Sequence, residues 1–451
     1  MPKTTDIIYI SYDYIFMKKI DIQHKAVIIK IAQKRGLHNC HRRFLKRMKR
    51  RGISIRSNLQ QCSFCQFYFS KISQNHNLNQ KNRAYCKAPS IFSFIDNCEG
   101  TCAFFEDFLC SSYNNKAKKV FFDQLNCKNI DLCAETVASV LFKEMHLYGN
   151  KNLSGQYPQD NNLAHIVRAS GVTKYLKISN DNPPDMFLFE LREGKKTRSK
   201  FNESSKKEIQ STALIEYLNK CLNKCGWELN NDGKTHFATI VGELLDNAEI
   251  HSKRPHWWIN AYLQTIGPKK GECHLVIFNF GQSISESMQT LPKESPHRKK
   301  IEQLIAHHQK RHFFSPQWDS DVLWTLYSLQ EGVSSLAGLN SQSDHGQGLS
   351  DLIEFFQELG NNENSPPLMA LISGNVYIRF DNEYKIKSQY HNLSQRRQIA
   401  FNKSNDLYAP PDSRKVKKMR HFFPGTICTF KFNIDNDYLE NLKNESDNNR
   451  P

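Results

Sequence analysis

The chain has 451 residues, 39% of them hydrophobic, which is enough for two or three domains with cores, and no apolar run approaches the roughly 20 residues of a membrane span. Its 62 Lys and Arg outnumber 45 Asp and Glu, for a formal net charge of +17. The start, MPKTTDIIYISYDYIF, lacks the pattern of a secretion signal, so a cytoplasmic protein without a membrane partner is expected, its 13 Cys thiols rather than disulfides.

Residues 1–56 hold fifteen Lys and Arg against three Asp, so much of the excess charge is local. A helix is expected over about 23–35 and a second, basic one ending near Gly52. The charge peaks at residues 42–51, RRFLKRMKRR, which read either as a solvated helix face or as a patch for nucleic acid or an acidic protein surface. Residues 57–116 are Cys-rich and expected to be irregular. Cys62, Cys65, Cys86 and Cys98 can be read as a tetrahedral zinc set, although no second Cys-x-x-Cys or His pair follows; buried free thiols are the alternative.

Residues 117–191 read as a small α/β unit. It contains a strand, Lys119 to Asp123, a helix over Leu132 to Tyr148, a turn at Gly155 to Pro158, and a helix from about Asn161 closed by Gly171. The polar stretch 192–207 reads as a linker to a last domain over 208–435. That domain opens with a helix, Ser211 to Lys224, followed by THFATIVGELLDNAEIHS, Thr235 to Ser252. In it Phe237, Ile240, Val241, Leu244, Leu245 and Ala248 recur at helical spacing and form a stripe to be buried. Glu243 and Asn247 stand one turn apart on another face. Together they offer a proton acceptor and a hard oxygen ligand, or else a solvated polar face.

A strand, His274 to Phe278, then runs into Asn279-Phe280-Gly281. Helices over His297 to His312 and Asp321 to Leu329 and a Gly/Ser-rich stretch make 282–345 an expected mobile lid. Gly346, Gly348 and Leu349 open another helix, and Phe423 to Ile434, with Thr426, alternates like a closing strand. The tail 436–451 is expected to be disordered.

An acidic helix, a strand with a glycine turn, Gly-x-Gly-Leu at a helix start and a terminal Gly-Thr strand, in that order, resemble the GHKL ATPases. These are the nucleotide-binding domains of gyrase, heat-shock chaperones, histidine kinases and mismatch-repair proteins, and the resemblance covers about 205–435. It implies a multidomain α/β protein with a C-terminal Bergerat-type α/β sandwich that binds ATP and Mg²⁺. By the same resemblance Asn247 holds the metal and Glu243 activates the attacking water or hydroxyl. Asn279, Gly281, Gly346, Gly348, Leu349 and Thr426 line the nucleotide.

The family usually carries Asp-x-Gly-x-Gly after the strand, with Asp accepting from the adenine amine. Here the stretch is Asn279-Phe280-Gly281-Gln282-Ser283, and a carboxamide both accepts and donates, so guanine is admitted as well, with adenine still favoured. The unit at 117–191 is similar to the STAS-like domains found beside bacterial GHKL modules. No phosphoacceptor His precedes the acidic helix, and the Asn247-Ala248-x-x-His251 spacing is closer to the anti-sigma-factor serine kinases. The expected function is a regulatory switch driven by ATP hydrolysis or by phosphoryl transfer to Ser or Thr. The alternative is a non-catalytic nucleotide sensor that recruits a protein or nucleic-acid partner. A homodimer is compatible with either.

Overall fold

The computed structural model describes residues 83–113, 118–149, 151–172, 183, 185–195, 206–250, 256–311, 318–333, 348–358, 366–391, 394–436 and 440. The chain divides into Met1–Gln60 and Gln61–Pro451, and every described residue belongs to the second unit. The basic segment 1–56, its patch at 42–51, and Cys62 and Cys65 therefore lie outside the described residues.

The fold is mixed α/β, with two main sheets. Strands β1 (Arg83–Lys87), β3 (Lys119–Asp123) and β5 (Asn152–Gln156) form a parallel sheet in that order, and β2 (Ile91–Phe92) pairs with β4 (Asn129–Ile130). Helices α1 (Cys98–Tyr113) and α2 (Leu132–Gly149) make the crossovers that parallel strands require, and α3 (Asn161–Ala169) follows.

Two expectations change here. Of residues 57–116 the described ones, 83–113, include two strands and a helix, because Cys98, Cys102, Phe105 and Leu109 fall at helical spacing and all are buried, the cysteines serving as small apolar side chains. Gly155 lies in β5 instead of a turn: a Cβ there would come 2.7 Å from the Phe122 carbonyl oxygen, so only glycine lets the two strands pair.

The second sheet has five antiparallel strands. Its order is β6 (Met186–Lys195), β7 (His256–Gly267), β8 (Lys270–Phe280), β12 (Val416–Asp435), β9 (Leu368–Phe380). Strand β6 runs through the boundary expected at 191/192, so the expected linker begins inside a strand of this sheet. One face, here the front, is covered by α4 (Lys206–Lys224), α5 (Asn231–Ile250) and α9 (Gly348–Glu358). The hairpin β10 (Lys387–His391) and β11 (Ser394–Gln398) stands between β9 and β12.

Helices α6 (Ile284–Met288), α7 (Pro296–Arg311) and α8 (Ser320–Tyr327) belong to the same front core. Met288, Ile301, Leu304, Val322 and Leu323 are buried in it, so 284–311 and 318–333 are part of the packed body and no lid. The high polar content of this stretch hid a narrow apolar stripe on each helix. Of the expected lid, 312–317 and 334–345 lie outside the described residues.

The back of the sheet carries Trp258, Tyr262, Phe278 and Phe280, all buried, and the parallel unit lies against it. Helix α2 packs on β7 and β8, and α1 on β12. Asn260, wholly buried, donates to Thr136 Oγ1 at 3.1 Å and to the Ser170 carbonyl at 3.3 Å. Phe94 meets Phe423 edge-on, and Tyr377 donates to the Ile95 carbonyl at 2.7 Å. Asn436, expected in a disordered tail, is buried and accepts the Trp227 indole N–H at 2.9 Å. No described helix is long and apolar enough to cross a membrane.

Candidate functional site

Helix α5 starts where Asn230 Oδ1 accepts the Gly233 N–H at 2.7 Å, satisfying one of the unpaired donors of the first turn. Its stripe of Phe237, Ile240, Val241, Leu244, Leu245 and Ala248 is buried against the sheet and α9, as the spacing predicts. Burying that stripe leaves Glu243 half-buried and Asn247 exposed at the helix surface. The Asn247 carboxamide has no hydrogen-bond partner among the described residues. Next to it Asp246 is held by Lys207 through both oxygens at 2.7 Å. Glu249 accepts the indole N–H of Trp257 at 2.9 Å, which pins the last turns of α5 over the start of β7.

Trp257 leads to the second part of the site, because it pairs in register with Asn279 at the end of β8. Asn279 is 5% exposed, and its carboxamide is without a hydrogen-bond partner among the described residues. The carboxamide is not wholly shut off from solvent, so it can meet a polar ligand edge from outside. On its other side Asn279 pairs with Thr426, and Thr426 with Ser373. The two hydroxyls lie 2.8 Å apart, and Ser373 Oγ also accepts the Ile284 N–H at 2.8 Å. Ser373 Oγ also lies 3.5 Å from the Gly425 carbonyl, to which it can donate, and either of the two hydroxyls can donate to the other. Ser373 escaped notice in the sequence because an isolated serine in an apolar run carries no motif.

Glycines shape this end of the sheet. Gly281 has φ +147° and donates to the Pro424 carbonyl at 2.9 Å. Gly425 has φ +155°, and a Cβ there would sit 2.0 Å from the Asn279 carbonyl oxygen. Strand β12 bulges between Phe423 and Thr426, which carries Pro424 and Gly425 across the end of β8.

Gly348 and Leu349 open α9, which lies beside α5 with Phe355 against His236 and Phe237; Gly346 lies outside the described residues. Asn279, Gly281 and Thr426 are thus together at one end of the sheet, under the helix that carries Glu243 and Asn247. The cysteines are not gathered in this way. Cys86 is in β1 and Cys98 opens α1 with its sulfur 3.2 Å from Met419 Sδ. Among the described residues no group of three or more His, Cys, Asp or Glu is placed to hold a metal ion.

No protein-family model, curated protein or solved structure matches this chain.

Proposed function

We propose that the front face binds ATP with Mg²⁺, and that the protein is a GHKL-type ATPase acting as a regulatory switch. The observation that carries this reading is Asn279, 5% exposed and with no side-chain hydrogen bond among the described residues, beside the Thr426–Ser373 hydroxyl pair. That carboxamide can accept from the adenine amine, with the Thr426–Ser373 hydroxyls beside it to meet a ring nitrogen. The antiparallel sheet with α4, α5 and α9 on one face supports the Bergerat-type reading. The unit of β3, α2, β5 and α3 stands as the STAS-like partner of the switch.

Asn247 fits a magnesium site of the kind built mainly from phosphate and water, since it brings one exposed, uncommitted hard oxygen. When bound, the metal neutralises charge on the phosphates. Glu243, one turn earlier, takes the proton of the attacking water or hydroxyl. Asn279 and Thr426 hold the base, and the amino end of α9 faces the phosphates.

Calorimetry with Mg-ATP tests this. Asn279→Ala is expected to weaken binding by about 1–3 kcal/mol, the cost of an unmade buried hydrogen bond. Glu243→Gln should bind ATP as the parent does and lose about 10²–10⁴ in turnover. Equal ATP affinity in the parent and Asn279→Ala would remove the base-binding role.

A further inference from the structure

The segment between β9 and β12 carries the hairpin β10–β11, and from it Arg397 reaches three carboxylates on other parts of the chain. Its Nη2 lies 2.8 Å from Glu331 Oε1 and 2.5 Å from Asp351 Oδ1, and its Nη1 donates to Glu354 Oε2 at 2.6 Å. Its backbone N–H donates to the other oxygen of Glu331 at 2.7 Å. The strand is stitched in place next to this: Gln330 bonds both the N–H and the carbonyl of Ile399, at 3.0 Å each. The side chains of Arg397 and Asp351 are each 17% exposed, so their attraction is little screened by solvent. Burial opposes the charge on Arg397, and its bonds to Glu331, Glu354 and Asp351 outweigh that and hold it above the ordinary arginine range. Burial likewise opposes the charge on Glu331, and Arg397 overcomes it.

Asp351 lies in the first turn of α9, with Glu354 in the turn after it. The unbonded N–H groups and dipole at a helix amino end favour an anion, but two carboxylates there repel one. Arg397, with one positive charge shared among three carboxylates, offsets part of that repulsion. We propose that Arg397 is a positioning residue for the nucleotide's polyphosphate: by offsetting part of the charge of Asp351 and Glu354 and holding the opening of α9, it lowers the barrier to an anion at that end. This rests on the ATP-binding reading above and adds a part of the chain, the β10–β11 hairpin, that no motif in it points to.

The full chain is titrated by calorimetry with Mg-ATP and, separately, with adenosine, which has no phosphate. In R397Q, ATP affinity should fall about tenfold while adenosine affinity stays at the parent's value. Adding D351N and E354Q to R397Q removes the repulsion, and ATP affinity should return to within about twofold of the parent. Unchanged ATP affinity in R397Q overturns the proposal. So does an equal loss of ATP and adenosine, or no recovery in the triple variant, since either makes Arg397 a structural clasp. If the parent binds neither ligand, the nucleotide reading itself falls and this one with it. A parent that binds both while R397Q behaves like it sinks only the role of Arg397.

Discussion

Gly425 shows how narrowly the site is built at the level of single residues. A Cβ there would also come 2.8 Å from Phe280 Cα, so any side chain forces β12 off β8. Gly425→Ala is therefore expected to cost about 3 kcal/mol or more, read as a lower urea midpoint, and to disturb Asn279 with it. Glu135 is the opposite case, a wholly buried carboxyl in the first turn of α2. Gln124 donates to its Oε1, and its Oε2 has no partner. Burial pushes its pKa up to about 8, the Gln124 bond pulling down and the charge of Asp131 pushing up. Its ordinary value is 4.5, so between the two values the folded state binds the proton more tightly than the unfolded chain. The contribution to stability is full below about pH 4.5 and is lost as pH rises towards about 8, at up to about 1.4 kcal/mol per pH unit. Glu135→Gln should flatten that slope in urea midpoints taken from about pH 5 to about pH 8. A slope identical to the parent's would assign it to another group.

Helix α5 was legible in the sequence because its front is apolar and its outer face polar, which leaves a period of 3.6. Strands β7 and β9 were not. Residues Trp257 to Leu263 are all buried, with helices on one side and the parallel unit on the other, so no alternation marks the strand. Helix α1 was hidden for a different reason: part of its buried stripe is cysteine, a residue type that fits a zinc set and a packed core alike. The join between α5 and β7 rests on the indole–carboxylate bond of Trp257 and Glu249. Trp257→Phe keeps the apolar contact and removes the donor. It should cost about 1–2 kcal/mol in unfolding free energy and lower ATP affinity by loosening the helix over Asn279. Normal affinity at reduced stability would limit the bond to a structural role.

At the scale of the whole molecule, the α/β unit and the five-stranded sheet share an interior. Trp258, Tyr262, Phe278 and Phe280 are buried on the face where α1 and α2 pack, and the Asn260 carboxamide donates to Thr136 and Ser170 of that unit. A chain starting at Pro183 would expose this apolar back face, far beyond what a stable soluble domain tolerates. It should aggregate or bind a hydrophobic dye strongly, whereas the full chain should not. A soluble, cooperatively melting 183–451 fragment would show the two parts to be separable.

What the sequence determined by itself was everything written in local periodicity or short motifs. That includes the stripe of α5, the turn after β8, the opening of α9, the strand at 119–123 and the placing of Glu243 and Asn247 one turn apart. What only the tertiary structure decided depends on residues far apart in the chain. Asn279 becomes an unbonded buried amide only because Trp257 and Thr426 flank it, and Ser373 enters the site only through Thr426 and Ile284. Arg397 meets Asp351 only because a hairpin folds back on α9. Periodicity records which face of an element is buried; it carries no information on which other element buries it.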